Sequence, residues 1–239
     1  MSYTDFRVTN KLLSNLISIT QQRLLPYLEE VSLVSGQIVH ESGTAITKVY
    51  FPQSARCALV LIMSNRATTE VLSVGKEGMV GLSAIFGDSS TNMRSIVQIS
   101  GTAIELPVKI IKEEFYQNRD LQQLLLLYTQ AQLGHVSQVA ACRSHHDIEQ
   151  RLARWLLWIY ENTQYDTLPL TQKFIALMLG VRRASITETA ISFQKQGIIQ
   201  YSRGQIKIVD NSKLKTVSCE CYDRIELEYQ RFLEPKMPK

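Results

Sequence analysis

The sequence predicts an α+β chain with an antiparallel β-roll first, then a long helix, then a winged helix-turn-helix. Three observations carry this. Residues 31–106 alternate short runs rich in Val, Ile, Leu and Tyr with glycine-containing turns, the pattern of an antiparallel roll or barrel. From Asn118 to about Cys142 there is no proline, and apolar residues recur at helical spacing. Residues 170–210 read helix, glycine turn, helix and two short strands. The expected divisions are 1–117 for the roll with its leading helices, 118–142 for the long helix, 143–218 for the winged helix-turn-helix, and 219–239 for a last helix and tail.

Composition narrows the class. At 45% hydrophobic and 20% charged residues, the 239-residue chain is an ordinary globular protein of one or two domains. The start, MSYTDFRVTN, lacks a basic region followed by an apolar core, and no run reaches the ~18 apolar residues of a membrane span. The expectation is a cytoplasmic protein with no membrane partner, whose Cys57, Cys142, Cys219 and Cys221 stay reduced.

Taken in order, residues 10–27 carry Leu12, Leu13, Leu16, Ile17, Ile19, Leu24 and Leu25. They read as two short helices broken near Ser18–Thr20, with Thr20 capping the second and Pro26 kinking or ending it. Strands are expected at 31–34, 38–40, 48–51, 55–63, 68–74, 94–99 and 102–107. Gly75, Gly78, Gly81 and Gly87 surround a short apolar segment, a spacing that lets backbone approach a bound group. A short helix covers 108–116. On the long helix, Leu121, Leu124, Tyr128, Ala131, His135, Gln138 and Cys142 form a heptad-like seam, with Leu125, Gln132 and Val139 beside it. Such a seam suits a two-fold partner, and Leu121, Leu124, Leu125, Tyr128, Ala131 and His135 are assigned to a homodimer interface. The alternative is that the stripe packs on its own domain. Residues 143–146 break the helical pattern, and Asp147 caps a helix over 148–161. A polar link over 164–168 follows, and a final amphipathic helix is expected over roughly 213–232.

The most informative stretch is LTQKFIALMLGVRRASITETAISFQKQGIIQYSRGQIKIVD. Thr171 caps a first helix over 172–179, and Gly180 supplies a turn that needs positive φ. Arg182 opens a second helix reaching Lys195, with Ile186, Ala190 and Phe193 inward. Two short strands around Ser202-Arg203-Gly204 make a wing. The first residues of such a second helix reach base edges in the major groove, where Arg forks onto guanine. Thr171, Gln172, Lys173, Arg182, Arg183, Ser185, Thr187, Glu188, Arg203 and Lys207 are therefore assigned to double-stranded DNA. Across 171–218 the acids are only Glu188 and Asp210, against eight basic residues.

No Ser/His/Asp arrangement, carboxylate pair or phosphate loop has usable spacing, so no catalytic residues and no enzyme are expected. Cys219-Glu220-Cys221 offers two thiols, but a closed metal site needs more donors and no second cysteine pair is spaced for it. These are read as structural helix cysteines, with no metal. His145-His146 reads as a hinge with exposed imidazoles.

With these residues in view, the chain resembles the Crp/Fnr superfamily of bacterial transcription regulators over about residues 10–215. The pieces that carry the resemblance are KVYFPQSA at 48–55, VGKEGMVGL at 74–82, IEQRLARWLL at 148–157 and LTQKFIALMLGVRRASIT at 170–187. It implies a cyclic-nucleotide-binding-like roll (a double-stranded β-helix) and a homodimer reading a palindromic operator. It also implies RNA polymerase as a partner, and effector binding in the roll coupled to the DNA heads. In the cyclic-AMP-binding members a Gly-Glu pair meets the ribose and an Arg-Ser pair holds the phosphate. Here Leu82 follows Gly81, and Arg94-Ser95 is spaced differently. No cofactor is certain. The expected effector is an unknown small molecule other than cyclic AMP, at a candidate site of Gly81, Leu82, Ser83, Arg94, Ser95, Tyr128 and Gln132, unless that pocket is collapsed. The segment before Cys57 has no cysteine, which argues against an N-terminal iron–sulfur cluster. In the recognition helix Arg183 matches the family's first base-reading Arg, while Ala184 and Glu188 replace its Glu and second Arg. The competing functional readings are an effector sensor whose winged helix docks RNA or protein, and a cyclic-nucleotide-responsive regulator.

Overall fold

Asn10 opens the first helix and ties it to the roll. Its Oδ1 accepts from Leu13 N at 2.9 Å, while its Nδ2 donates to Pro52 O at 2.9 Å and Gly78 O at 2.8 Å. The computed structural model describes residues 8–16, 18–87, 89–163 and 165–233; Ile17, Gln164 and both chain ends named above lie outside them. Helices α1 (Lys11–Ser14) and α2 (Ser18–Leu24) come first, and a 3-10 turn at Leu25–Tyr27 follows because Pro26 cannot continue an α-helix. Thr20 sits inside α2 rather than capping it, and its hydroxyl accepts from Asn118 Nδ2 at 2.7 Å.

The strands are β1 (Glu29–Leu33), β2 (Ile38–His40), β3 (Lys48–Pro52), β4 (Arg56–Ile62) and β5 (Thr68–Val74). After the short helix α3 (Ser83–Phe86) come β6 (Arg94–Ile99) and β7 (Gly101–Pro107). One sheet has the order β1-β7-β3 and another β2-β6-β4-β5. β7 pairs antiparallel with both neighbours, setting Glu105 against Glu29 on one side and Tyr50 on the other. β2 pairs antiparallel with β6 across a register shift between Ile38 and His40. Alternation along the strands turns Val49, Phe51, Val97, Ile99, Ile104 and Leu106 into the roll's buried interior.

At two of its positions the glycine-rich segment after β5 makes room for the protein's own side chains. A Cβ on Gly75 would stand 2.3 Å from Arg56 Nη1, and one on Gly78 would stand 2.0 Å from the Tyr128 hydroxyl oxygen. Arg56 and Glu77 are fully buried and paired, Nη2 to Oε1 at 3.0 Å, and Gly75 N donates to the same Oε1 at 2.9 Å. The Tyr128 hydroxyl accepts from Met79 N at 2.9 Å and donates to Met79 O at 3.2 Å.

Helix α4 (Val108–Gln117) leads to the long helix α5 (Arg119–His145), which Asn118 starts by accepting from Asp120 N at 3.0 Å. The expected break at 143–146 is displaced. α5 continues through Arg143, Ser144 and His145, and His146 N still bonds Cys142 O at 3.0 Å. Helix α6 (Ile148–Glu161) begins with Asp147 and Gln150 in a reciprocal capping box. Then come β8 (Thr167–Leu168), α7 (Gln172–Leu179), α8 (Arg183–Lys195), β9 (Ile199–Ser202) and β10 (Gln205–Ile208). The single expected last helix is two, α9 (Asn211–Val217) and α10 (Cys221–Leu233), broken at Ser218, whose extended backbone (ψ 156°) cannot continue a helix. The apolar period runs through this break, which is why it was not visible in the pattern.

The chain divides into two units. One contains Met1–Cys57, Val74–Thr129 and Arg231–Lys239; the other contains Ala58–Ser73 and Gln130–Gln230. Within the second, Trp155 Nε1 donates to Glu70 Oε1 at 2.9 Å and Arg143 donates to the Glu70 backbone carbonyl, so α6 and α5 both bond to one buried residue of β5.

Burying an ion pair makes each partner depend on the other. Glu77→Ala removes the buried carboxylate that faces the Arg56 guanidinium and is expected to cost about 3–5 kcal/mol in a urea titration. Glu113→Ala, which removes an exposed pair with Lys109 on α4, should cost no more than ~0.5 kcal/mol.

Candidate nucleic-acid interface

Two short helices acquire a fixed angle here because the turn between them permits little else. Thr171 caps α7 by accepting from Phe174 N at 3.1 Å, and Gly180 ends it at φ +66°. A Cβ on Gly180 would stand 2.5 Å from Thr69 Oγ1, so the turn needs glycine for space as well as for conformation. Arg151 Nη2 donates to Leu179 O at 2.7 Å, filling a carbonyl that the end of α7 leaves open. Ile175, Met178 and Leu179 of α7 and Ile186, Ala190 and Phe193 of α8 are buried, which turns the remaining face of α8 outward.

That outward face carries Arg183, Ala184, Glu188, Ile191 and Lys195, all exposed, with Arg182 just before them. Ser185 and Thr187 are half-buried. Thr187 is a fastener: its hydroxyl donates to Gln172 Oε1 at 2.8 Å, joining the second helix to the first. Gln172 N donates to the Tyr201 hydroxyl at 3.2 Å, joining the first helix to the wing. Gln172 and Thr187 thus position the helices, and Arg182, Arg183 and Glu188 stay exposed. Ala184 and Ile191 lie seven residues apart on the same exposed face, a spacing visible in the sequence.

The wing is a three-stranded sheet, β8-β10-β9, with Ser202 opposite Gln205. Its two-residue loop has φ +48° at Arg203 and +78° at Gly204, both positive as a tight hairpin requires. Arg203 and Lys207 are exposed. Among the described residues, Lys173, Arg182, Arg183, Lys195, Arg203 and Lys207 form no salt bridge, whereas Lys213 pairs with Asp210 and Lys215 with Asp223. Six of the eight basic residues thus carry no ion pair among the described residues.

The roll residues assigned to an effector site fall differently. Gly81 has φ +95° and packs toward His40, Val49 and Ile46. Leu82 and Ser95 are buried, and Ser83 is exposed on α3. Arg94 forks onto Glu41, Nε to Oε1 and Nη2 to Oε2 both at 2.9 Å, and that hydrogen bonding holds Glu41 below the usual carboxylate range. Burial holds the His40 imidazole below its ordinary range, against the opposing pull of its bond to Lys48 O. Tyr128 is committed to Met79, and Gln132 belongs to the other unit.

The residues assigned to a dimer seam are mostly core. Leu121, Leu125, Tyr128, Ala131 and His135 are each 3% exposed or less in the single chain, and only Leu124 is half-buried. His135 packs edge-on against Trp158, and its Nδ1 lies 3.3 Å from the Tyr229 hydroxyl. The stripe was read correctly as apolar, but the chain fills it itself. The large apolar residues α5 leaves outside are Leu126 and Leu133, 53% and 67% exposed and one heptad apart.

A capped helix, a left-handed glycine turn, a second helix with free arginines at its start and a basic wing define the winged helix-turn-helix class. Residues 150–217 match the model of the Crp-like helix-turn-helix domain. No curated protein matches the chain by sequence. Among solved structures, the chain is similar to a putative Crp/Fnr-family transcriptional regulator from Eubacterium rectale, at 19% identity and TM-score 0.68 over 86% of this chain and 96% of that one. It is also similar to FixK2 from Bradyrhizobium japonicum, at 14% identity and TM-score 0.69 over 80% and 98%. A third likeness is to CLP of Xanthomonas campestris, a c-di-GMP-responsive global regulator, at 13% identity and TM-score 0.65 over 81% and 100%. The chain has the Crp/Fnr fold and carries the Crp-like helix-turn-helix domain, as the sequence resemblance implied. No helix among the described residues is long and apolar enough to cross a membrane.

Gly180→Ala is expected to destabilise the chain by about 1–2 kcal/mol from backbone conformation alone, with a further loss from the Thr69 contact. Adding Thr69→Gly should recover only the contact part, and denaturation midpoints of the singles and the double separate the two.

Proposed function

We propose that this protein is a sequence-specific DNA-binding transcription regulator that acts as a homodimer on a palindromic operator, with RNA polymerase as its further partner. The observation that carries the reading is the exposed Arg182–Arg183 pair at the start of α8, which forms no salt bridge among the described residues. In this placement Arg183 donates two hydrogen bonds to guanine O6 and N7, which a lysine cannot reproduce. Lys173, Lys195, Arg203 and Lys207 meet phosphates and set the register of the head on the duplex. The reading assigns no catalytic step to the chain, and its place of action is the cytoplasm.

Arg183→Ala is expected to lose about 1–3 kcal/mol on a selected operator and to relax preference at one base pair per half-site. Lys207→Ala should weaken operator and scrambled DNA alike and flatten the salt dependence by about one unit. Anisotropy titrations at several salt concentrations measure both. Equal losses on operator and scrambled DNA for Arg183→Ala would make it a phosphate contact only.

The homodimer is assigned to the outer face of α5, where Leu126 and Leu133 stand exposed. Leu133→Asp should shift sedimentation from twice the mass of the 27.2 kDa chain toward one copy, without lowering the urea midpoint measured at low concentration. A wild-type chain that sediments as one copy at micromolar concentration contradicts the assignment.

The effector is assigned to the roll as a small molecule other than cyclic AMP. Leu82 offers no acceptor for a ribose hydroxyl, and Arg94 already holds a carboxylate, so a cyclic phosphate would have to displace Glu41. Calorimetry with cyclic AMP should show no micromolar binding. Tight binding coupled to increased DNA affinity would overturn this part.

A further inference from the structure

The end of α5 and the break between α9 and α10 bring together four side chains that are far apart in the sequence. Cys142 and His146 lie one helical turn apart, because α5 runs further than the sequence pattern suggested. Cys219 and Cys221 flank Glu220 where the chain turns from α9 into α10, with Tyr222 N bonded to Cys219 O at 3.1 Å. All four belong to the same unit.

The distances are those of donors around one ion. Cys142 Sγ and Cys219 Sγ are 3.6 Å apart, Cys221 Sγ and His146 Nδ1 are 3.5 Å apart, and all four donor atoms lie within 4.8 Å of one another. Zinc bonds thiolate at about 2.3 Å and imidazole at about 2.0–2.1 Å; tetrahedral angles then put two sulfurs about 3.8 Å apart and a sulfur and a nitrogen about 3.5 Å apart. An iron–sulfur cluster spreads its protein ligands over two or four irons, so its four donors span more than the 4.8 Å seen here. The surroundings also fit. The three cysteines are buried, at 0%, 4% and 1% exposure for Cys142, Cys219 and Cys221. His146 turns Nδ1 inward while its Nε2 meets Glu220 Oε2 at 3.2 Å, the carboxylate partner that orients a ligating imidazole. Gln138 Nε2 donates to Cys221 Sγ at 3.1 Å, a bond that survives deprotonation of the thiol.

We propose that Cys142, His146, Cys219 and Cys221 form a closed Cys3His site for a single thiophilic divalent ion, with zinc as the resident metal. Each thiol releases its proton to solvent as the ion binds, and no electron is transferred. With four protein donors the ion keeps no open position, so its role is to join the end of α5 to the α9–α10 junction. This assignment replaces the reading of Cys219 and Cys221 as structural helix cysteines and of His146 as an exposed hinge residue.

The test uses the full chain, purified under reducing conditions without chelator. Elemental analysis should find one zinc per chain, and cobalt exchanged into the site should give the thiolate charge-transfer and visible bands of a tetrahedral ion. Cys142→Ser and Cys219→Ser should abolish both signals. Cys57→Ser, which alters the one cysteine outside the cluster, should leave them unchanged. His146→Cys should retain cobalt with shifted bands, which a merely misfolded variant would not do. Glu220→Ala should weaken metal affinity by about 10–100-fold. Four results would each overturn the proposal: no bound metal, metal that survives loss of Cys142 and Cys219 together, iron with acid-labile sulfide, or a metal-free chain with a Cys142–Cys219 disulfide.

Discussion

The left-handed turn at Gly180 is the constraint on which the C-terminal unit depends. Without it α7, at eight residues, is too short to persist alone, and α8 has no fixed direction. With it, Ile175, Met178 and Leu179 meet Ile186, Ala190 and Phe193, and that burial decides which residues of α8 face outward. Polar fasteners complete the arrangement. Gln172 receives the Thr187 hydroxyl and gives its own N–H to Tyr201, so first helix, second helix and wing are joined through one residue. Arg182 and Arg183 stay exposed at the start of α8.

Local signals made this part of the fold legible. Thr171, Gly180, Asp147 and the hydrophobic spacing of α6 and α8 each have a short-range physical cause, and the structure has Thr171 as cap, Gly180 in the left-handed region and Asp147 in a capping box. The roll's strands were legible for the same reason, being short β-branched runs between turns. What was not legible depends on long-range packing. The seam on α5 looked the same whether a second chain or the chain's own residues covered it, and His135 against Trp158 and Tyr229 shows which. Gly75 and Gly78 signalled close approach correctly, but only the fold reveals that Arg56 and Tyr128 are what approaches.

The cysteines are the instructive case. The Cys-x-x-x-His spacing at 142–146 is not legible as a site, because the helical pattern ends before His146 and the apolar period of the last helix runs unbroken. Both boundaries concern a few residues, yet together they decide whether four donors meet. In the roll, the corresponding lesson concerns charge. Arg56 is neutralised by Glu77 and Arg94 by Glu41, so arginines that look available to an anion in the sequence are already paired.

The central claim is that the start of α8 reads bases in the major groove at two symmetric half-sites. Methylation interference on a selected operator tests it most directly, since a methyl on guanine N7 blocks one of the two acceptors an arginine fork uses. The account predicts two clusters of interference related by a two-fold axis, with centres about one helical turn, roughly 34–36 Å, apart. Binding that tolerates N7 methylation throughout the site, or a single unpaired cluster, would contradict it.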